Sequence, residues 1–402
     1  MKNGYRCLAA GTLAVLLGAL TAGYPHAMAN GNAVPARIAT SVLPAGTGDS
    51  LYQVGWAYDL RHPGNQLLIN NGITYMAIKE LSVVFSDYIW TTDHRGVLTV
   101  TAPNHKLTWG PGTKTAYTNA GKLAMAAAPI KKDGQWFYPL KSIAAWAGGE
   151  VKLTPTKELI VNYAPLSILA GDPQGWYWVR RDNGIVYTAI GSELPRTIGW
   201  SNARAAMYYG MTVTKLGESG SVLLTVNHTY GEPSLGTDIY KLVIQNGKLT
   251  LQTKASYYGM RSTKSIETSE EGYHVLVNGT AVLFLNEDAK VVKKFGTESV
   301  IGTNANFTVE YASIKDGIAL IRPYASGMLL FVDLAKETSV TLYKELLSAE
   351  EQQILEGWNP ADIDYPTDRI EFVKREGNVF TFEHQVFFEA EKLTLTYTWE
   401  RV

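Results

Sequence analysis

Cysteine is nearly missing from this 402-residue sequence, whose single example is Cys7. One cysteine can form neither an internal disulfide nor a thiolate cluster around a metal ion. An excess of charge of one sign is missing as well, since 36 Lys and Arg side chains stand against 37 Asp and Glu side chains. No basic block interrupts this balance, so the sequence offers no electrostatic indication of a nucleic-acid partner.

Long apolar runs are confined to the start of the chain. Lys2 and Arg6 precede the apolar stretch 8–22, and a small-residue pattern ends at Ala29. This order is typical of a secretory signal peptide that is cleaved after Ala29. No later segment reaches the roughly 18 to 20 apolar residues of a membrane span. Because Cys7 precedes the apolar stretch, lipid attachment is not expected. We therefore predict a secreted bacterial protein, extracellular or attached to the cell wall.

A pattern of strand, helix and hairpin occurs twice before residue 164. Residues 72–99 and 134–161 align without gaps, so that each copy has apolar residues at helical spacing after an apolar strand. A unit this small cannot cover its own apolar face, and two copies side by side are expected to form one core. Residues 30–64, rich in small and turn-forming residues, are interpreted as a leader or linker.

Four short motifs follow one another within the stretch 108–152. They are Thr113-Lys114-Thr115-Ala116, Asn119 to Lys122, Ala128-Pro129 and Tyr138-Pro139-Leu140-Lys141. In this order they resemble the copper amine oxidase N-terminal-like domain, or stalk domain, that is common in secreted proteins of Gram-positive bacteria. The resemblance covers residues 65–163 and implies a small α+β module. It implies little about chemistry.

Amine oxidase activity is not carried over with that resemblance. Catalysis in the full oxidases depends on a tyrosine in Asn-Tyr-Asp/Glu that becomes a quinone, and on copper held by a His-X-His pair. Here Asn162-Tyr163 is followed by Ala164, and the seven histidines include no His-X-His pair. The sequence therefore argues against amine oxidase activity, and we expect neither copper nor another cofactor.

From residue 166 onward, short alternating strands are separated by Gly, Asp and Asn. A strand, a charged turn with Gly and a second strand recur, and two further strands follow in most units. Four strands per unit, at a period of roughly 45 to 60 residues, are typical of β-propeller blades. We therefore expect residues 166–402 to form an all-β domain, a five-bladed β-propeller. A long sandwich is the alternative architecture.

One helical insertion interrupts this all-β pattern at residues 342–357. Ser348 is placed to cap a helix with Glu351 three positions later, and Gly357 is a stop signal. The insertion is expected to lie over one face of the propeller.

Paired tyrosines mark the candidate ligand face. The tetrapeptide Tyr-Tyr-Gly-Met occurs at 208–211 and 257–260, in what the unit period predicts to be equivalent loops, and a long loop is expected at 227–237. Tyrosines near an arginine can stack on sugar rings or hold a peptide. The candidate ligand-binding residues are Tyr208, Tyr209, Tyr257, Tyr258, Arg261, His228 and Tyr230. Packing of adjacent sheets by these tyrosines is the alternative.

A glycan hydrolase is the enzymatic alternative, because carboxylates around a propeller channel can cleave glycosidic bonds. The candidate acids are Asp172, Glu218, Glu271, Asp316 and Glu376. They lie beside glycine in turns, where turn chemistry accounts for them. We therefore predict a non-catalytic binding or scaffolding protein of the bacterial cell envelope. Its predicted partner is a cell-wall polysaccharide or an envelope protein, and a sensor or inhibitor that docks a partner protein is a third hypothesis.

Overall fold

Antiparallel β-sheets account for most of the regular structure of this protein. The computed structural model describes residues 36–41, 52–54, 60–61, 66–153, 158–204, 208–231, 235–303, 305–358 and 367–400. Within these ranges no helix has the length and apolar character needed to cross a membrane. The predicted signal peptide and its cleavage site at Ala29 lie outside the described residues.

The amino-terminal half contains three antiparallel sheets and two short helices. In chain order its elements are β1 (Ala36–Ser41), β2 (Tyr52–Val54), β3 (Leu60–Arg61), β4 (Leu67–Asn70), β5 (Ile73–Ala77), α1 (Ile78–Val84), β6 (Ile89–Thr92), β7 (Leu98–Ala102), β8 (His105–Trp109), β9 (Thr115–Thr118), β10 (Gly121–Ala124), β11 (Ile130–Lys132), β12 (Gln135–Pro139), α2 (Leu140–Trp146), β13 (Glu150–Leu153) and β14 (Glu158–Tyr163). The sheet orders are β13-β14-β1-β2-β3, β10-β9-β8-β7-β6 and β11-β12-β5-β4.

The two copies of the sequence repeat lie side by side in this half. Strand β5 leads directly into α1, and β12 leads directly into α2. The two strands are antiparallel neighbours in which Met76 and Tyr138 are cross-strand partners. Leu81 of α1 and Ile143 of α2 are fully buried in the same apolar cluster. The prediction that the two copies share one core is therefore confirmed.

The carboxyl-terminal half contains five successive antiparallel sheets. The first comprises β15 (Ser167–Asp172), β16 (Gly175–Arg180), β17 (Ile185–Ala189) and β18 (Arg196–Trp200), and the second comprises β19 (Tyr208–Leu216), β20 (Ser221–Tyr230), β21 (Gly236–Gln245) and β22 (Lys248–Tyr258). The third comprises β23 (His274–Asn278), β24 (Ala281–Leu285) and β25 (Val291–Gly296), and is followed by α3 (Glu298–Ile301). The fourth comprises β26 (Phe307–Ser313), β27 (Ile318–Pro323), β28 (Leu330–Asp333) and β29 (Thr338–Thr341). Helices α4 (Leu342–Leu346) and α5 (Ala349–Gly357) then precede the fifth, β30 (Ile370–Glu376), β31 (Val379–Gln385) and β32 (Lys392–Thr398).

Two of these sheets differ from the predicted four-stranded pattern. The third and fifth sheets have three strands each among the described residues. The recurring pattern of two strands around a charged turn with Gly predicts a first strand of the third unit at residues 265–269, before Glu271-Gly272. These residues contribute only an isolated bridge between Thr268 and His274. The predicted helical insertion at 342–357 consists of two helices, because Leu347 is extended and separates α4 from α5. Ser348 caps α5 by accepting a hydrogen bond from the Glu351 amide, as predicted.

Neighbouring sheets of this series pack face to face. Apolar clusters join the first sheet to the second, the second to the third, the third to the fourth and the fourth to the fifth. The other face of the first sheet packs through Trp178 against Ile89 of the amino-terminal half. The other face of the fifth sheet carries exposed Thr394, Thr396 and Thr398. Among the described residues no apolar cluster joins the fifth sheet to the first.

Asp87, in the turn after α1, connects the two halves of the molecule. Its carboxylate is buried and accepts hydrogen bonds from the Tyr163 hydroxyl and from the Leu166 amide, the latter at 3.0 Å. Its backbone carbonyl accepts a bond of 2.9 Å from the indole N–H of Trp178. Burial raises the pKa of Asp87, and the bonds from Tyr163 and Leu166 act in the opposite direction. One residue thus orients the last strand of the amino-terminal half and the first sheet of the series.

A second polar contact connects the fourth and fifth sheets. The Arg322 guanidinium pairs with Glu310 at 2.5 Å and with the fully buried Asp368 at 2.6 Å. It also donates to the carbonyl oxygens of Gly327 and Ile370. The charge of Asp368 is therefore compensated inside the apolar contact of the two sheets, as a buried charge requires.

Replacing Asp87 with alanine is predicted to destabilise the protein. The substitution leaves the Tyr163 hydroxyl and the Leu166 amide without their acceptor, at a cost of about 2–4 kcal/mol in the free energy of unfolding. Urea unfolding measures this difference. The control is Asp93→Ala, because Asp93 accepts hydrogen bonds only within its own exposed turn. Equal losses in the two variants would contradict the role assigned to Asp87.

Glu80 in the first turn of α1 is predicted to make stability depend on pH. Burial raises its pKa from 4.5 to about 7, and its Oε1 atom has no hydrogen-bond partner among the described residues. Between these two values the folded state holds a proton that the unfolded chain has lost, so rising pH favours unfolding.

The variant Glu80→Gln stays neutral and avoids this penalty. At pH 8 we expect its free energy of unfolding to exceed that of the wild type by about 1–3 kcal/mol. At pH 4 the two proteins should have the same free energy of unfolding. Urea titrations at the two pH values test this. A constant difference between the proteins across the range would show that Glu80 does not titrate with a raised pKa.

Candidate functional site

The second sheet has the longest strands of the series, and the candidate residues cluster at one of its ends. Its strands contain 9 to 11 residues, whereas those of the first sheet contain 5 or 6. The start of β19, the end of β20, the start of β21 and the end of β22 meet at this end because the strands are antiparallel. We call it the outer end of the second sheet.

The two Tyr-Tyr-Gly-Met segments do not occupy equivalent loops, and this prediction is wrong. The first begins strand β19, and the second starts in the last residues of β22, on the opposite edge of the same sheet. The predicted long loop at 227–237 is also shorter than expected, since β20 continues to Tyr230 and β21 begins at Gly236. His228 and Tyr230 are therefore strand residues with directions set by the sheet.

The candidate tyrosines divide between the two faces of the sheet. Tyr209 faces the first sheet and is buried, and Tyr257 faces the third sheet and donates a hydrogen bond of 2.9 Å to the Phe307 carbonyl. Tyr258 is 68% exposed. The Tyr208 side chain lies outside the described residues.

Arg261 lies beyond the outer end of the sheet and contacts the fourth sheet. Its guanidinium donates to the carbonyl oxygens of Tyr324 and Ala325.

Burial raises the pKa of Tyr257 to about 12, so its hydroxyl keeps its proton near neutral pH. Tyr257 and Arg261 thus have structural contacts that account for their positions.

A row of polar side chains crosses the outer end on the face toward the first sheet. Tyr209, His228 and Asp238 are successive cross-strand neighbours on β19, β20 and β21. All three are buried, yet the Tyr209 hydroxyl, both His228 ring nitrogens and the Asp238 Oδ1 atom have no hydrogen-bond partner among the described residues. We call these three residues the polar row. Buried polar atoms without partners are rare, and several in one place indicate a site for a ligand or for ordered water.

Two tyrosines lie next to the polar row at the rim of the sheet. Tyr230 and Tyr258 are aligned with Gly236 between them on the neighbouring strand. The Tyr230 ring covers Gly236 so closely that a β-carbon at that position would lie 2.4 Å from the ring. The same ring lies 5.2 Å from the His228 ring. An exposed and a half-buried aromatic ring therefore flank the entrance to the polar row.

Charged side chains surround the polar row on this face. The Arg181 guanidinium lies 4.3 Å from the Tyr209 ring centre, and Lys254 pairs with Asp238 Oδ2 at 3.0 Å. Tyr240 donates to the same Asp238 oxygen. Burial lowers the pKa of His228; Asp238 raises it, while Lys254 and Arg181 lower it further. His228 is therefore neutral near pH 7, with one ring nitrogen as donor and the other as acceptor.

Sequence reasoning missed Asp238, Arg181 and Lys254 at this site. The signal available was the segment 238–244, in which the positions facing the first sheet are Asp, Tyr, Leu and Ile. A carboxylate within an apolar alternation is costly to bury unless it is paired. Its partner Lys254 is on the adjacent strand, and that pairing depends on the register of β21 and β22.

The carboxylates proposed for a hydrolase lie at the other end of the sheets. Glu271 accepts hydrogen bonds from Ser269, Ser313 and the amides of Ile314 and Lys315. Burial alone would raise the pKa of Glu271, but these bonds outweigh it and lower the pKa. A carboxyl group held ionised in this way is poorly suited to act as a general acid.

The neighbouring Asp316 is paired with an arginine of the fifth sheet. The Arg375 guanidinium contacts Asp316 at 2.6 Å and Glu270 at 2.8 Å. Asp172 accepts bonds from the amides of its own turn. These hydrogen bonds and ion pairs stabilise the turns and hold neighbouring sheets together. Among the described residues no group of three or more His, Cys, Asp or Glu side chains is arranged to hold a metal ion.

Comparison with known proteins does not indicate a function for this chain. No protein-family model matches the chain, and no curated protein does. A crystal structure of a protein of unknown function from Bacteroides caccae aligns with 70% of this chain and 82% of its own, at 12% identity and a TM-score of 0.21. A likeness at that score carries no argument about fold or function.

A matched pair of substitutions distinguishes a tyrosine hydroxyl of the polar row from a tyrosine hydroxyl with an ordinary structural hydrogen bond. Tyr209→Phe removes a buried hydroxyl without a partner, so the free energy of unfolding should stay constant or rise slightly. Tyr257→Phe removes a hydroxyl that is bonded to the Phe307 carbonyl, so it should cost about 0.5–1.5 kcal/mol. Urea unfolding of both variants gives the comparison. A larger loss for Tyr209→Phe would show that its hydroxyl is bonded within the folded protein.

Proposed function

We propose that this chain is a secreted, non-catalytic binding protein of the bacterial cell envelope that recognises a polysaccharide at the outer end of the second sheet. The observation that carries the proposal is the polar row, three adjacent buried side chains with unpaired polar atoms, next to two tyrosines at the rim. The predicted signal peptide supports an extracellular ligand.

The chemistry of the polar row suits sugar hydroxyl groups. A hydroxyl both donates and accepts a hydrogen bond, and neutral His228 and Tyr209 each offer both functions. Asp238 offers an acceptor oxygen, and Lys254 beside it compensates its charge. A sugar ring also has an apolar face that packs on aromatic rings, and Tyr230 and Tyr258 provide such rings at the rim.

The architecture that we propose for this function has two parts. The amino-terminal half, with its two strand, helix and hairpin units, serves as a stalk-type module that spaces or attaches the protein. The five sheets form a propeller-type series that presents the outer end of the second sheet. The polar face at residues 394–398 supports a series that ends at the fifth sheet, because an antiparallel sheet with one polar face is stable against water.

The test is retention of the chain from Asn30 on purified peptidoglycan and wall polysaccharide. Tyr258→Ala removes an exposed ring, so we expect a three- to tenfold loss of affinity with unchanged folding. The control is Tyr117→Ala, which removes a ring that is 54% exposed in the amino-terminal half.

Tyr209→Phe provides a second readout inside the site. It should weaken retention because it removes a hydroxyl of the polar row, whereas Tyr257→Phe on the other face should not. Absence of retention for the wild type, or equal retention of the wild type and Tyr258→Ala, would contradict the proposal.

A further inference from the structure

The face of the second sheet that points toward the third sheet has an unusual composition. Its half near the turn between β19 and β20 is apolar and packs on the third sheet through Leu216, Leu223 and Val243. Its other half contains apolar Ile239, Ala255 and Tyr257 together with a polar set that comprises Thr212, Thr214, Thr225, Asn227 and Lys241. Two packed sheets bury apolar faces, so this polar set needs a separate explanation.

A cleft separates the sheets at this polar set. The segment before β23 pairs only briefly with that strand, through the Thr268–His274 bridge and a bond from the Val275 amide to the Glu267 carbonyl. It also bends toward the fourth sheet. The Ile266 amide donates to the Val309 carbonyl, and the Glu270 amide donates to the Ala312 carbonyl, both on β26. The resulting cleft has a volume of about 340 Å³ and is open to solvent.

Five titratable groups line this cleft, one of them Tyr257. Lys241 lies on its wall and donates a hydrogen bond of 3.0 Å to the Val275 carbonyl, while Lys264, Glu267 and His274 line it from the third unit. Burial lowers the pKa of Lys241, and the nearby Glu267 raises it. Burial lowers the pKa of His274 and Lys241 lowers it further, while Glu267 and Glu287 raise it. Two lysines and one glutamate thus line the cleft beside His274.

We propose that this cleft binds a small polyhydroxylated carboxylate, of the size and chemistry of a monomeric sugar acid. Lys241 and Lys264 pair with the carboxylate, and the hydroxyls of Thr212, Thr214 and Thr225 bond to the ligand hydroxyls. The volume is at the lower end of the range for small-molecule sites, which suits a single ring. The cleft and the polar row lie on opposite faces of the second sheet, so this site does not depend on the proposed polysaccharide function.

Calorimetric titration of the full mature chain with glucuronate and with glucose tests the charge requirement. Glucuronate should bind, and glucose, which lacks the carboxylate, should bind at least tenfold more weakly. Lys241→Met should weaken glucuronate binding at least tenfold. The control is Lys215→Met, which removes a lysine on the opposite face of β19 and should leave the affinity unchanged.

A second variant keeps the test independent of the Lys241 hydrogen bond. Thr225→Val preserves the shape of the side chain and removes one hydroxyl from the cleft, so glucuronate affinity should fall at least threefold with the thermal midpoint maintained. Tyr258→Ala and Tyr209→Phe should not change glucuronate affinity, which distinguishes this site from the polysaccharide site. Absence of glucuronate binding by the folded wild type, equal binding of glucose, or unchanged affinity in both Lys241→Met and Thr225→Val would overturn the proposal.

Discussion

The buried carboxylate of Asp87 fixes the point at which the series of sheets begins. The Tyr163 hydroxyl and the Leu166 amide bond to this carboxylate, and the Trp178 indole bonds to the Asp87 backbone carbonyl. All three groups are distant from Asp87 in the sequence, so the end of the amino-terminal half and the first sheet are held in one orientation. A sheet inside a stack needs an apolar neighbour on each face. The first sheet obtains one neighbour from Ile89 beside this contact, and each following sheet then covers the one before it. The arrangement of all five sheets therefore depends on how this first one is placed.

Local sequence patterns predicted those features of the fold that depend on interactions between residues close to one another in the sequence. The repeat predicted the neighbouring copies that share a core, and Ser348 with Glu351 predicted the start of α5. The break at Leu347 and the lost strand at 265–269 could not be predicted in this way. Residues 265–269 alternate like a strand, but their bonds are divided between β23 and β26 of the next sheet, and only the tertiary arrangement brings β26 close.

The candidate site was predictable in part for the same reason. Tyr209, His228 and Tyr230 were singled out by residue type and lie together at the outer end. Their common face follows from the register of β19 and β20, a pairing between residues about 20 positions apart that composition does not reveal. Asp238 and Arg181 were missed because the contacts that place them are formed with other strands. Tyr209 and Tyr257 belong to the same repeated motif and were therefore predicted to lie in equivalent positions, but they lie on opposite faces of the sheet. A difference of one residue in register is enough to place two side chains on opposite faces.

Strand length explains why both candidate sites lie in the second sheet. Its strands exceed those of the first sheet by about four residues, which at roughly 3.3 Å per residue corresponds to about 13 Å of sheet beyond the strands of the first sheet. The strands of the third sheet, with 5 or 6 residues, are shorter by a similar length on the other face. Polar side chains can be accommodated beyond the apolar contact between two sheets, and alternation gives each face its own set of side chains. The polar row on one face and the threonine-lined cleft on the other thus follow from a single property of these four strands, their length relative to their neighbours.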